Sequence, residues 1–133
     1  MTVVFKDAKR PADLVEKHAE ELAGKLGIAT EATRSQMRRF YQEYLSLRQR
    51  IKSGGPEAYQ QNEVAVKMLI AKAAYASGRQ NVKVPQAFVD WLKANLKAIT
   101  CAEDVETFGQ YFEAVLGYFY AQTQTKRDEG GRK

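Results

Sequence analysis

Residue types that catalytic and metal sites require are scarce in this sequence of 133 residues. Cys101 is the single cysteine, so the chain can form no internal disulfide, and the paired spacings of zinc ligands are absent. His18 is the single histidine and falls in the apolar line of a predicted helix, where a structural role is favoured. Phosphate-cradling glycine loops, HExxH motifs and calcium loops do not occur. We therefore expect no enzyme activity, no metal and no cofactor.

Long apolar runs are also missing. No stretch approaches the roughly 20 apolar residues that cross a bilayer, and the N-terminus lacks the pattern of a secretory signal. Together with the lone cysteine, this predicts a cytoplasmic location and no membrane partner. The length and the 44% hydrophobic, 28% charged composition predict one folded domain over 1–133, with 1–10 and 122–133 as flexible ends.

Acidic residues are scarce in the middle of the chain. Residues 34–66 have six bases and three acids, and residues 67–97 have six bases and one acid, which makes +3 and +5. The ends are slightly acidic, at −1 for residues 1–33 and −2 for 98–133, so the total is +5. Such a local excess attracts nucleic acid or an anionic membrane, although an ordinary solvated basic surface would have the same composition.

All periodic stretches have the helical period, which predicts an all-α bundle of five helices. Their expected bounds are Pro11 to Lys25 or Leu26, Thr33–Lys52, about Glu57–Ala76, Pro85 to about Ile99, and a last helix that opens at Thr100 and runs to about Ala121. Gly27 is expected to cap the first helix, and capping boxes pair Thr33 with Gln36 and Thr100 with Glu103.

Two of these helices have an ambiguous surface. In the third predicted helix, about Glu57–Ala76, the expected apolar line is Val64, Met68, Ala71 and Tyr75, and Val66, Ile70 and Ala73 widen it. The last helix has too many aromatics for one stripe, because adjacent residues point about 100° apart. Those aromatics are Tyr111, Phe112, Tyr118, Phe119 and Tyr120. They either form a protein contact or lie beneath surrounding helices.

The Thr33–Lys52 helix combines a core face with a basic one. Met37, Phe40, Tyr44, Leu47 and Ile51 recur at spacings of three and four. A second line, about a quarter turn away, contains Arg34, Arg38, Arg48 and Lys52, with Tyr41 and Leu45 between them. Phosphate contacts need only positive groups on a rigid surface, so this line is a candidate anion site. Tyr41 could stack on a base or, as we slightly favour, pack against a neighbouring helix.

Three motifs in order resemble the small subunit of type III-A CRISPR–Cas effector complexes, the Csm type. They are Thr33–Phe40 (TRSQMRRF), Lys67–Arg79 (KMLIAKAAYASGR) and Tyr111–Phe119 (YFEAVLGYF), where Gly117 replaces a more usual alanine. The resembling region covers about residues 33–120, and the first helix matches nothing that we can name.

This resemblance implies a compact, non-catalytic all-α subunit that serves antiviral defence. Copies of it would stack into a filament, contact the backbone of the guide and target RNA, and adjoin other effector subunits. By position in the motifs, the RNA-binding residues are Arg38, Lys72 and Arg79. Helix geometry and charge add Arg34, Arg48, Lys52 and Lys67. The aromatic last helix is the candidate for one filament face, and Glu113 is expected to pair with a basic residue. The alternatives are a helical adaptor or regulator with a basic docking face and a small DNA-binding helical protein.

Overall fold

The computed structural model describes residues 3–27, 31–78 and 84–131. After a 3-10 turn at Phe5–Asp7, α1 (Pro11–Asp13) leads through a π-helical turn (Leu14–His18) into α2 (Ala19–Leu26). The remaining helices are α3 (Glu31–Ser53), α4 (Ala58–Gly78), α5 (Gln86–Ala98) and α6 (Ala102–Gly131). If α1, the π-helical turn and α2 are counted as one helix, the described residues form five helices and no strands. This confirms the all-α prediction.

The long helices pack in a cyclic order. α6 lies between α2 and α3, α4 lies between α3 and α5, and α5 returns to α2. Consecutive α3 and α4 are joined by four residues and pack as an antiparallel pair, since Gln36 lies near Tyr75 and Arg50 lies near Ala65. α3 and α4 therefore lie side by side, each with an outer face.

Aromatic side chains fill the centre of the bundle. Trp91 from α5 is 1% exposed and packs against Phe108 and Phe112 of α6, with ring centroids 5.1 and 5.5 Å away. Tyr44 of α3 meets Phe108 edge to face at 5.3 Å and donates its buried hydroxyl to the Val105 carbonyl at 2.6 Å. Such contacts add specific geometry to the hydrophobic burial that stabilises the core.

The segment before α1 is held to α5 through Asn95. The Asn95 side chain is 0% exposed and accepts a hydrogen bond from the Phe5 amide at 2.7 Å. Its Nδ2 donates to the Val3 and Trp91 carbonyls at 3.3 and 2.9 Å. A buried amide with this many partners fixes the position of the chain that it bonds. Periodicity could not show this contact, because Phe5 and Val3 are 90 and 92 residues away from Asn95.

The expected helix starts need two corrections. α3 begins at Glu31, so Thr33 lies inside its first turn and is not the N-cap. An acidic residue in the first turn, such as Glu31, interacts favourably with the helix dipole, so α3 can begin before Thr33. α6 begins at Ala102, and the Thr100 amide and hydroxyl bond Asp104 at 2.9 and 3.0 Å in place of Glu103.

The predicted ends are correct for the first helical segment and too early for α6. The first helical segment starts at Pro11 and ends at Leu26 as predicted, and Gly27 has the positive φ of 69° that favours glycine at a helix end. α6, in contrast, continues to Gly131, ten residues past the expected end.

The expected apolar line of α4 is wrong, although Val66 and Ala73, which were expected to widen it, are buried. Val66, Leu69, Ala73 and Ala76 are buried, whereas Val64, Met68 and Tyr75 are 76%, 51% and 72% exposed. Both sets have helical spacing and lie on opposite sides of the helix, since 100° per residue places Val64 about 160° from Val66. Periodicity alone cannot choose between two apolar faces of one helix.

The aromatic stretch of α6 lies beneath other helices. Tyr111, Phe112 and Phe119 are at most 1% exposed, and Tyr118 and Tyr120 are half-buried. α2 and α3 cover this stretch from two sides. The suggestion that these aromatics form an outer filament face is therefore wrong for the three buried rings.

Candidate nucleic-acid interface

α3 supplies the rigid base of the candidate site. Its predicted core line is buried throughout: Met37, Phe40, Tyr44, Leu47 and Ile51 are at most 5% exposed. Because this line faces inward, the opposite side of the helix must face solvent. The basic residues of α3 are distributed over that outer side and its two flanks.

On the flank towards α6, Arg48 forms an ion pair across the two helices. Its Nε and Nη2 donate to the two carboxylate oxygens of Glu106 at 2.8 and 2.6 Å, in a bidentate geometry. This contact raises the pKa of Arg48 and lowers that of Glu106. Gly109 makes room for the arginine, because a Cβ there would lie 2.9 Å from Arg48 Cδ.

Two further contacts extend this flank. Tyr41 packs edge to face on Phe112 at 5.2 Å, which confirms that it packs against a neighbouring helix, and its hydroxyl lies 3.4 Å from Glu113. Glu113 also lies 4.0 Å from Arg48, so its basic partner is within the same chain. The exposed Arg38 guanidinium lies over the Tyr120 ring, 5.6 Å from its centroid. Much of the second line of α3 therefore contacts α6.

Three other predicted site residues also have intramolecular partners. Arg34 pairs with Glu31, and Lys72 pairs with Glu43 of α3 at 2.8 Å. The half-buried Lys67 donates to the Leu96 and Ile99 carbonyls, both at 2.7 Å, where α5 ends. Burial lowers the pKa of Lys67. Arg79, the last predicted site residue, lies outside the described residues.

The outer side of α3 has exposed bases near both of its ends and polar residues between them. We call it the α3 ridge and define it by four exposed bases: Arg38, Arg39, Arg50 and Lys52. Between Ser35 and Lys52, every exposed ionisable residue of α3 is a base. Among the described residues, no carboxylate forms an ion pair with any of the four. The ridge spans about 21 Å at 1.5 Å per residue.

Sequence reasoning included Arg38 and Lys52 but missed Arg39 and Arg50 as site residues. It favoured a line next to the core stripe, which the structure places against α6. Arg39 and Arg50 lie on the other flank of the stripe, towards α4. The signal that would have found them is their direction, which is about 100–120° from the centre of the core stripe on that side. Polar Gln42, Ser46 and Gln49 lie opposite the core stripe and are not apolar enough to be buried.

Metal-binding groups and membrane-spanning helices are two further features to consider. The described part of the chain contains no group of three or more histidine, cysteine, aspartate or glutamate side chains placed to hold a metal ion. Within those same residues, no helix has the length and apolar character needed to cross a bilayer.

The fold and this surface define a class: small all-α proteins with a basic helix exposed to solvent. Comparison with family models then places the chain within that class. The Csm2 Type III-A model matches residues 9–124, and the chain belongs to this family, that of the small subunit of type III-A CRISPR effector complexes. The match includes the first helix, for which the sequence motifs named no relative. Neither the curated proteins nor the solved structures that we searched contain a match.

Proposed function

We propose that this chain is a non-catalytic, structural subunit that binds the guide and target RNA backbone through the α3 ridge. The observation that carries this proposal is the set of four exposed cations on α3, none of which forms an ion pair with a carboxylate among the described residues. Lysine and arginine neutralise phosphates and release condensed counterions, which gives affinity without sequence preference. In this proposal the subunit acts in cytoplasmic antiviral defence, alongside the other subunits of the effector complex.

The predicted site residues divide into two groups under this proposal. Arg38 and Lys52 lie on the ridge and contact phosphates directly, together with Arg39 and Arg50. Lys72 lies to one side of the ridge, beside Glu43, and contributes a weaker contact.

Arg34, Arg48 and Lys67 stabilise the fold through their intramolecular partners. Arg79, seven residues after Lys72, keeps the RNA role that its motif implies.

One copy offers few phosphate contacts, so we propose that copies stack along the RNA as a filament. Once one copy is bound, its neighbour binds at a high effective concentration, and the summed contacts exceed the affinity of either copy alone. Stacking of this kind needs two different complementary faces on each subunit, since a self-complementary face would close into a pair. The RNA would then lie along a row of α3 ridges.

The test is the salt dependence of RNA binding. We would measure the affinity of the purified chain for single-stranded RNA and for an RNA duplex over a range of salt concentrations. Each lost phosphate contact reduces the slope of log K against log salt by roughly 0.7–0.9. The double variant Arg38→Gln/Lys52→Gln should therefore reduce the slope by about 1.5, irrespective of RNA sequence.

The matched control is Lys97→Gln, an exposed base near the end of α5. It removes a positive charge away from the ridge and should leave the slope unchanged. Circular dichroism melts should show that all variants fold alike. Lys97→Gln removes one charge and the double variant removes two. If Lys97→Gln reduces the slope by half as much as the double variant does, net charge alone attracts the RNA and the ridge is not the site.

A further inference from the structure

The outer face of α4 has apolar side chains that the core does not use. Val64, Met68 and Tyr75 are all more than half exposed, and Ala71 lies among them. Their spacings of four, three and four keep them in one row, about 16 Å long at 1.5 Å per residue. A row of large apolar groups in contact with water is a feature of interaction surfaces, whereas single exposed apolar residues are ordinary. We call this row the α4 stripe.

A groove runs beside the stripe, between α3 and α4. Two cavities of about 320 and 470 Å³ lie along it and share Glu43 and Lys72 as lining residues. Met68 and Tyr75 of the stripe line one cavity each. The stripe and the groove therefore form one continuous surface about three helical turns long.

The charged residues that line this groove are mostly basic. Three bases line its cavities, Arg39, Arg50 and Lys72, against the single carboxylate of Glu43. That carboxylate is already paired with Lys72 at 2.8 Å, so the two arginines remain as uncompensated charge at the edge. An occupant with carboxylates flanking an apolar face would complement both features.

We propose that the α4 stripe and the α3–α4 groove bind an acidic amphipathic helix of another protein subunit. The groove is long enough for about three turns of such a helix, which would insert apolar residues at positions i, i+4 and i+7. Its acids would meet the two arginines at the edge. RNA suits this surface less well, because Tyr75 is the one ring of the stripe, and Val64 and Met68 offer no flat ring on which a second base could stack.

This inference goes beyond the RNA proposal and does not depend on it. Arg39 and Arg50 lie on the border between the ridge and the groove and are within reach of either partner. The test therefore uses the apolar residues of the α4 stripe, to which the RNA proposal gives no role. RNA on the ridge and a helix in the groove would lie side by side.

The first experiment places a photo-crosslinking residue, p-benzoylphenylalanine, at Tyr75 in the complete effector complex. We expect a cross-link to a segment of a different subunit, with apolar residues at helical spacing and at least two flanking acids. The control position is Val15, which is 37% exposed in the π-helical turn and should not cross-link to that segment. A cross-link from Tyr75 to a second copy of this chain or to RNA, or none at all, would overturn the inference.

The second experiment removes the apolar surface and leaves every charge in place. The double variant Met68→Gln/Tyr75→Gln should weaken retention of the chain in the complex by at least about tenfold, as expected when buried anchors are lost. Its salt-dependent RNA binding as a purified chain should be unchanged. Val15→Gln should affect neither property.

The two measurements also separate this inference from the RNA proposal. If the double variant retains its place in the complex but loses RNA affinity, the stripe contacts RNA and the inference fails. If Arg38→Gln/Lys52→Gln binds RNA normally while the Tyr75 cross-link reaches an acidic helix, the RNA proposal fails and the inference stands.

Discussion

Replacement of Arg48 by glutamine should destabilise the fold far more than it weakens RNA binding. The Arg48 side chain is 17% exposed and that of Glu106 is 37% exposed, and two short hydrogen bonds join them. Exposed ion pairs contribute up to about 1 kcal/mol, and breaking a buried pair costs about 3–5 kcal/mol. This half-exposed bidentate pair should lie between them, so we expect Arg48→Gln to cost about 2 kcal/mol. For a domain of this size, that corresponds to a melting temperature lower by roughly 5–8 °C.

The assay is a double-mutant cycle of thermal and denaturant unfolding with Arg48→Gln, Glu106→Gln and the double variant. We expect a coupling energy of about 1 kcal/mol at neutral pH, because each single variant leaves one charge without its partner. Arg38→Gln is the matched control, since it removes an exposed arginine from the same helix. That control should lower RNA affinity and change the melting temperature little.

Acid should abolish the coupling. Hydrogen bonds from Arg48 lower the pKa of Glu106 from its ordinary value of 4.5. A carboxyl group whose folded pKa is lowered stabilises the protein above its unfolded pKa, and this stabilisation is lost as the pH falls through the folded pKa. The coupling energy should therefore be constant above about pH 5 and decrease as the pH falls below 4.5.

The expected role of Arg48 is refuted if Arg48→Gln leaves the melting temperature unchanged and weakens RNA binding more than Arg38→Gln does. Arg48 would then be available to phosphate, and its pair with Glu106 would contribute nothing measurable to stability.

Three further variants test the packing around the candidate site. Tyr44→Phe removes a buried hydrogen bond to the Val105 carbonyl, and denaturant unfolding should show a loss of about 1–2 kcal/mol; an unchanged midpoint would mean that water replaces the hydroxyl. Asn95→Ala should cost about 2–3 kcal/mol and expose the Phe5 amide, so hydrogen exchange there should accelerate, and full protection would show that Asn95 does not hold this segment. Gly109→Ala would normally gain up to about 1 kcal/mol in a helix, but its Cβ would lie 2.9 Å from an arginine side chain. We expect its free energy of unfolding to be unchanged or lower, and a clear stabilisation would contradict the close contact.

Several features could be predicted because they depend on residues close together in the chain. The core line of α3 was predicted correctly, because apolar residues at spacings of three and four share one helix face and α3 has a single face of this kind. Pro11 and Gly27 marked the ends of the first helical segment through their own backbone preferences. Three short motifs were enough to indicate the family before any comparison.

Other features were decided by neighbours that are distant in sequence. α4 has two apolar faces, and only its packing between α3 and α5 determined that Val66 and Leu69 are buried while Val64 and Met68 meet water. Arg48 and Arg38 lie on the same predicted line, yet Arg48 meets a carboxylate 58 residues away and Arg38 lies over an aromatic ring.

The physical reason is the same in both cases. Sequence periodicity determines which side chains share a helix face, because 3.6 residues per turn is a local property of the backbone. Which face is buried, and which charge is neutralised, depends on the atoms that other helices place against it. The sequence by itself determined an all-α protein with a basic third helix, and the tertiary structure decided which of those bases remain exposed to a partner.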